Sequence, residues 1–385
     1  METPDQSFFH SLTAMESSGA LSEALERITK STVSDVNNAM ERLPVAWPGF
    51  LALLSGPAEN HLDEIKSLAK NLTAQRFGHT VNLYIPIYLS NACINQCAYC
   101  GFNSRMDIRR KTLSLDEVGL EGERLFNEGF RNILLVAGES RKDTPLSLME
   151  QSVRALKEMG FVFVGLEAEP LGEDEYRILG EAGLDGVTVY QETYDREMYA
   201  RVHKAGPKKD YQWRLGAPER VAKAGIRSVS VGFLLGLGEF CAEAVALAAH
   251  VKYLQKRFWQ TSVSVSFPRI HQAPAGFELA NAVSDTRLIK LISAMRLFNP
   301  DVTLTLSTRE APALRDELFG VGINQVSAGS KTSPGAYTVI GSESSAGEQF
   351  PVVDERPPHE VAEAIKKAGL EFVWKDWDKN LRPVA

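Results

Sequence analysis

Three of the four cysteines in this chain of 385 residues fall within one short run, Cys93-Ile94-Asn95-Gln96-Cys97-Ala98-Tyr99-Cys100. The spacing is too tight for a disulfide framework and suits a metal centre in a reducing compartment. Three thiolates can hold three irons of a cubane cluster, which leaves the fourth iron without a protein ligand and open to a small molecule. The alternative is zinc. Structural zinc takes four protein ligands, and no further Cys or His lies close enough in sequence, so a distant histidine would have to complete the set. Cys241 opens a predicted helix and reads as a small buried residue rather than a ligand.

Charged and polar side chains gather at the ends of apolar runs. A carboxylate taken out of water must be neutralised, because an unpaired charge in a dry site is costly. Arg269 and Arg309 both lie just past predicted strands, and a guanidinium fork suits a carboxylate. A salt bridge to a barrel helix is the alternative for either. Glu167 and Glu169 are two apart and share a face if their strand continues, with the direction of that face left open. Gln191 and Glu192 are adjacent and point to opposite sides. Ser266 stands beside Arg269, and Ser307, Ser327 and Ser330 sit at other strand ends, where serines also occur without function.

Short β-rich runs alternate with longer amphipathic stretches from about Asn82 onward, the pattern of repeated βα units around a parallel sheet. Strands are expected at Asn82–Leu89, Ile133–Ala137, Phe161–Glu167, Gly186–Tyr190, Ser228–Leu235, Ser262–Phe267, Val302–Ser307 and Ile323–Ala328. Helices are expected at Leu115–Glu128, Pro145–Met159, Glu173–Ala182, Pro218–Ala224, Glu243–Arg257 and Asp285–Phe298. Eight such units argue for an α/β fold of the (β/α)8 TIM-barrel type spanning 81–330. The cysteine run then follows the first strand, at the barrel mouth where this fold places its active sites. Residues 1–80 read as a helical N-terminal extension, with Leu62–Arg76 its clearest amphipathic piece. Residues 331–385 read as a C-terminal extension packed on the barrel, with loops at 333–335 and 341–347, a helix at Pro358–Ala368 and a strand at Glu371–Trp374.

The formal charge of -7 lacks the basic excess of a general phosphate-backbone binder, which argues against nucleic acid. Met1-Glu2-Thr3-Pro4-Asp5-Gln6 carries no positive region and no apolar run follows, so neither a signal peptide nor a membrane-spanning helix is expected, and the cytoplasm is.

The cysteine run, with Tyr99 as the aromatic before the last cysteine, resembles the C-x-x-x-C-x-aromatic-C hallmark of the radical S-adenosylmethionine (SAM) superfamily. The resemblance implies a 4Fe–4S cluster on Cys93, Cys97 and Cys100. It implies that the amino and carboxylate groups of SAM chelate the open iron, and that an electron splits the sulfonium into methionine and a 5'-deoxyadenosyl radical. Ala137-Gly138-Glu139 is similar to the superfamily's G-G-E element, with Ala137 in place of the first glycine; the resemblance implies that Gly138 lets the backbone approach the cofactor and that Glu139 binds the methionyl ammonium. Gly232-Phe233-Leu234-Leu235-Gly236-Leu237-Gly238-Glu239 resembles the element that packs on the adenine, which brings in Gly236.

From roughly Phe50 onward the chain also resembles the 2-iminoacetate synthase family of tyrosine lyases. The stretches that carry this are Leu89-Ser90-Asn91, Cys100-Gly101-Phe102, Arg109-Arg110-Lys111-Thr112-Leu113, Tyr190-Gln191-Glu192-Thr193-Tyr194, Ser264-Val265-Ser266-Phe267-Pro268-Arg269, Leu306-Ser307-Thr308-Arg309-Glu310 and Trp374-Lys375-Asp376-Trp377-Asp378. The resemblance implies hydrogen abstraction from the amino nitrogen of tyrosine, then Cα–Cβ cleavage to 2-iminoacetate and p-cresol for the thiazole of thiamine. Arg269 would hold the substrate carboxylate beside Ser266, with Arg309 second. Glu192 would be a polar contact to SAM or the amine, and Ser307 and Ser327 would line the phenol end. His203 could relay the phenol proton, though a purely structural role fits it better. Tyr99, Gly101, Phe102, Glu167 and Gln191 complete the expected cofactor surroundings. Ile270-His271 departs from the family pattern, where a second arginine is common, and this bears on the carboxylate assignment.

The expected partners are tyrosine, SAM, a reducing donor such as flavodoxin or ferredoxin, and a thiazole synthase that takes the imine before water does. A hydrogenase-maturase-like or deazaflavin-pathway enzyme, a biotin-synthase-like enzyme, and a noncatalytic iron–sulfur scaffold are the rivals. The hydrogenase-maturase-like and biotin-synthase-like readings need further cluster ligands, and no cysteine follows Cys241.

Overall fold

In the computed structural model, which describes residues 7–273, 277–338 and 346–374, the first strand, β1 (Thr80–Ser90), already divides its side chains between two environments. Val81, Leu83, Ile85, Ile87 and Leu89 are all at most 1% exposed and join the main hydrophobic core. The alternate residues Tyr84, Pro86 and Tyr88 line internal cavities instead. Period-two alternation therefore points one set at the surrounding helices and the other at the barrel lumen.

The remaining strands are β2 (Asn132–Ala137), β3 (Phe163–Glu167), β4 (Gly186–Glu192), β5 (Ser228–Phe233), β6 (Ser262–Ser266), β7 (Thr303–Leu306), β8 (Gln325–Ser327) and β9 (Glu371–Val373). Every pairing is parallel, β1 pairs with both β2 and β8, and the eight strands close into a (β/α)8 barrel. All eight barrel strands fall where the alternating pattern predicts them. Asn82 pairs with Gln325 on one side and Val373 on the other, so β9 occupies the lower part of the edge that β2 takes higher up.

Helices α1 (Phe8–Ser17), α2 (Ala20–Lys30), α3 (Val33–Met40), α4 (Trp47–Leu54) and α5 (Leu62–Phe77) precede the barrel. Those that follow in chain order are α6 (Leu115–Asn127), α7 (Leu146–Met159), α8 (Glu173–Glu181), α9 (Arg196–Val202), α10 (Tyr211–Leu215), α11 (Ala217–Lys223), α12 (Phe240–Arg257), α13 (Asp285–Phe298), α14 (Pro312–Leu318) and α15 (Pro358–Lys367). Local chemistry sets several starts: Ser114 and Glu117 form a capping box on α6, and Glu239 accepts from the first amides of α12. The predicted Glu243 start of α12 falls one turn late, because Glu239 rather than Glu243 is the cap. The short helices α9, α10 and α14 were not expected; they are too brief to show a helical period. The predicted loop at 341–347 and the Trp374–Asp378 stretch lie largely outside the described residues. No described helix is long and apolar enough to cross a membrane.

Candidate active site

Cys93, Cys97 and Cys100 follow β1 and line one cavity at the barrel mouth, together with Gly138, Glu139, Glu167, Glu192, Tyr99 and Phe102. The loop is held in place from several sides. Arg110 donates to the carbonyls of Asn91, Phe102 and Asn103 at 2.7 to 2.8 Å. The Gly101 amide donates to the Gln349 carbonyl at 3.0 Å, which brings Gln349 and Phe350 over the cavity. A Cβ on Gly138 would stand 2.3 Å from the Ala92 carbonyl oxygen, so only glycine lets the end of β2 pass this close to the cysteine loop.

Two acids and two bases form the polar wall. Arg214 of α10 donates to Glu139 at 2.8 Å and approaches Glu192 at 3.6 Å, while Lys208 meets Glu192 at 2.7 Å. Asn95 donates to the other Glu139 oxygen at 2.7 Å. Glu192 has φ of 69°, the one non-glycine residue with positive φ among the described residues, and β4 shifts register just before it. Lys208 and Arg214 hold its carboxyl below the usual range against the effect of burial. Behind it, Glu243 of α12 accepts from the Thr193 hydroxyl and, at 2.8 Å, from the Tyr194 amide. The strained strand end is thus over-determined, as functional sites require.

A second cavity lies directly beneath. It is lined by Tyr84, Tyr88, Ser266, Ser307, Ser327 and Arg309 among others, and six residues, including Glu167, Arg309 and Phe350, border both cavities. The Arg309 guanidinium carbon stands 3.4 Å from the centre of the Phe350 ring. Burial pushes the Glu167 carboxyl up to about 7, with Arg309 acting in the opposite direction.

Residues 87–250 match the radical SAM superfamily, and residues 266–371 match the Biotin and Thiamin Synthesis associated domain. The chain is 42% identical to 2-iminoacetate synthase of Escherichia coli over 92% of this chain and 93% of that one. The same enzyme of Salmonella typhimurium is 40% identical over the same shares. This chain belongs to the 2-iminoacetate synthase family. Its barrel superposes on the FeFe-hydrogenase maturase HydG from Carboxydothermus hydrogenoformans with a TM-score of 0.86 and 29% identity, covering 97% of this chain and 86% of that one.

As a radical SAM enzyme of this family, the chain works with a 4Fe–4S cluster and SAM. The cysteines fit the cluster. Burial raises the Cys97 thiol strongly and pushes Cys100 up to about 11, so thiolates here need nearby positive charge, which iron supplies. The zinc alternative fits poorly, because the histidine bridged to Cys97 has both ring nitrogens engaged.

That histidine is His203, and its proposed relay role does not suit its placement. Nδ1 meets the Tyr199 carbonyl at 2.9 Å, so Nδ1–H donates, and Nε2 accepts from the Tyr99 hydroxyl at 2.8 Å. Burial lowers its pKa to about 3, and it borders neither cavity. Arg269 also differs from expectation: it is turned onto Glu310, Asp285 and the Val283 carbonyl and borders neither cavity. His271, in place of the family-like arginine, meets the same Glu310 at 3.1 Å. Of the adjacent acids, Glu167 faces the cavities and Glu169 pairs outward with Arg141, because β3 ends at Glu167. Gln191 and Gly236 border neither cavity; Gly236 has φ of 114° and packs against Leu279. Lys208, Arg214, Tyr84, Tyr88, Gln349 and Phe350 were not singled out from sequence, although the β1 tyrosines carry a signal in their alternation.

Proposed function

We propose that this chain cleaves the Cα–Cβ bond of L-tyrosine to 2-iminoacetate and p-cresol, supplying the imine for the thiazole of thiamine. The observation that carries the reading is the placement of Arg309 and Glu167, one cation and one acid, on the border between the cysteine cavity and the cavity beneath it. A zwitterionic amino acid needs that pair: its carboxylate goes to Arg309, and its amine to Glu167. The amino nitrogen then faces the cysteine side and the aromatic ring descends toward Tyr84, Tyr190 and Ser266. With its pKa near 7, Glu167 can take a proton from the substrate ammonium, leaving a neutral amine.

Cys93, Cys97 and Cys100 hold the cluster in this reading, and Gly138, Glu139, Glu192, Lys208 and Arg214 form the polar wall for SAM. The bound cluster and SAM supply the one-electron chemistry that removes a hydrogen atom from the substrate. The chain's own contribution is orientation and exclusion of water. A low-potential donor of the flavodoxin or ferredoxin type and a thiazole synthase are the partners that this chemistry calls for.

The test is oxygen-free reconstitution with iron, sulfide and dithionite, followed by SAM and tyrosine. The expected products are 5'-deoxyadenosine, p-cresol and glyoxylate from hydrolysis of the imine. Formation of 5'-deoxyadenosine with neither p-cresol nor glyoxylate would refute tyrosine cleavage and leave the superfamily assignment standing.

A further inference from the structure

The interior of a (β/α)8 barrel is normally filled by layers of bulky branched side chains. Here the lumen positions of β5, β6 and β7 are Ser228 and Ser230, Ser262 and Ser264, and Thr303, while Gly165 and Gly186 contribute no side chain at all. The result is a third cavity of about 360 Å³ in the lower half of the barrel. It reaches the N-terminal face beside the exposed residues Gln260 and Ser262. Five residues, Tyr84, Leu134, Tyr190, Ser266 and Thr305, border both this chamber and the cavity above it. Tyr84 and Tyr190 border both spaces and form the floor between them.

The chamber has a definite chemical character. Phe163, Leu134, Ile133 and Val187 supply apolar surface, and serines and threonines supply hydroxyls. Asn132, 3% exposed, donates through Nδ2 to the Leu83 carbonyl at 3.2 Å, which fixes its amide in the chamber wall. Among the described residues, the one cation that borders the chamber, Arg227, is paired with Asp185 at 3.1 Å. A carboxylate entering this space would be left poorly neutralised. A neutral molecule with an aromatic body and one hydroxyl matches it, the ring against the apolar wall and the hydroxyl among the serine and threonine hydroxyls.

We infer that the lower chamber receives the neutral phenolic fragment of the reaction, p-cresol, which leaves by the N-terminal face of the barrel while the carboxylate fragment stays with Arg309. This rests on the tyrosine-lyase reading above. The barrel then sorts its two products by charge. The aromatic end already points away from Arg309 toward Tyr84 and Tyr190, so the phenol needs only to pass that floor.

Calorimetric titration of the reconstituted protein with p-cresol tests this without any turnover. Wild type should bind p-cresol in the presence of saturating tyrosine, and Ser264→Phe, which fills the chamber, should weaken that binding at least tenfold. Ser262→Phe, at the exposed mouth, should leave the first-turnover yield of 5'-deoxyadenosine unchanged and slow later turnovers at least fivefold. Should Ser264→Phe fail to fold, the mouth variant still decides the matter. Purely tyrosine-competitive p-cresol binding, or full multiple-turnover rates in Ser262→Phe, would overturn the inference. Absence of p-cresol among the products would instead count against tyrosine cleavage.

Discussion

Arg269 lays its Nε and Nη2 on the two carboxylate oxygens of Glu310, and the side chains are 6% and 1% exposed. That closed pair separates two arginines that look alike in sequence. Arg309, past the end of the next strand, leaves its guanidinium in the cavity on the face of Phe350.

Arg309→Lys should therefore raise the KM for tyrosine by about tenfold to a hundredfold, the loss of roughly 1.5–3 kcal/mol from a charged hydrogen-bonding group. The KM for SAM should move little. Arg269→Ala should act on stability instead, costing about 3–5 kcal/mol because it strands Glu310 as a buried charge. The double variant Arg269→Ala with Glu310→Ala should recover part of that loss. Steady-state kinetics beside urea unfolding separates the two; a tyrosine-specific KM effect confined to Arg269 would reverse the assignment.

Gly138→Ala probes how the end of β2 serves the cysteine loop. Its methyl group would fall 2.3 Å from the Ala92 carbonyl oxygen and 3.1 Å from the Cys93 Cβ, so the loop must shift. Iron and sulfide bound per chain after reconstitution should fall at least twofold, with circular dichroism unchanged. Full iron content together with a wild-type response of the reduced cluster to SAM would show that the close approach is dispensable.

The strands, the barrel and the cysteine loop were legible in sequence because alternation and short punctuated spacing are local properties. Ser262-Val263-Ser264-Val265-Ser266 reads as a strand at sight, and its valines fall in the core as the period requires. Which face of it meets a lumen depends on sheet closure, which no local pattern encodes. Arg269 and Arg309 illustrate the same limit: both sit past strand ends, and only the fold reveals that Glu310 and Asp285 meet one and Phe350 the other. Lys208 and Arg214 lie on the β4 to β5 connection, where nothing in composition marks them as neighbours of Glu192 and Glu139.

Glu167 should give the reaction a pH dependence. In the substrate-free protein its carboxyl is raised from 4.5 to about 7, first by burial, against the pull of Arg309. The deprotonated form is the one that can hold or deprotonate the substrate ammonium. The kcat/KM for tyrosine should accordingly rise with pH through an inflection near 7 and level off above it. Glu167→Gln should abolish that inflection and lower kcat/KM by about two orders of magnitude, in line with loss of a proton-transfer group. Retention of the same inflection in the variant would assign it to another group.

Glu243 offers a stability test that is independent of catalysis. The carboxyl is 2% exposed, accepts only from the Thr193 hydroxyl and from backbone amides, and is raised from 4.5 to about 7 chiefly by burial. Between those two values the folded state holds a proton that the unfolded state has released. Stability from this group is therefore complete below about 4.5 and is lost as pH rises through about 7. Glutamine keeps the shape, accepts from the same amides and cannot ionise. Relative to Glu243→Gln, wild type should lose on the order of 2–3 kcal/mol between pH 4.5 and pH 8, the equivalent of its shift. Urea unfolding at both pH values measures that difference directly, and parallel behaviour of the two proteins would mean that Glu243 is already ionised at the lower pH.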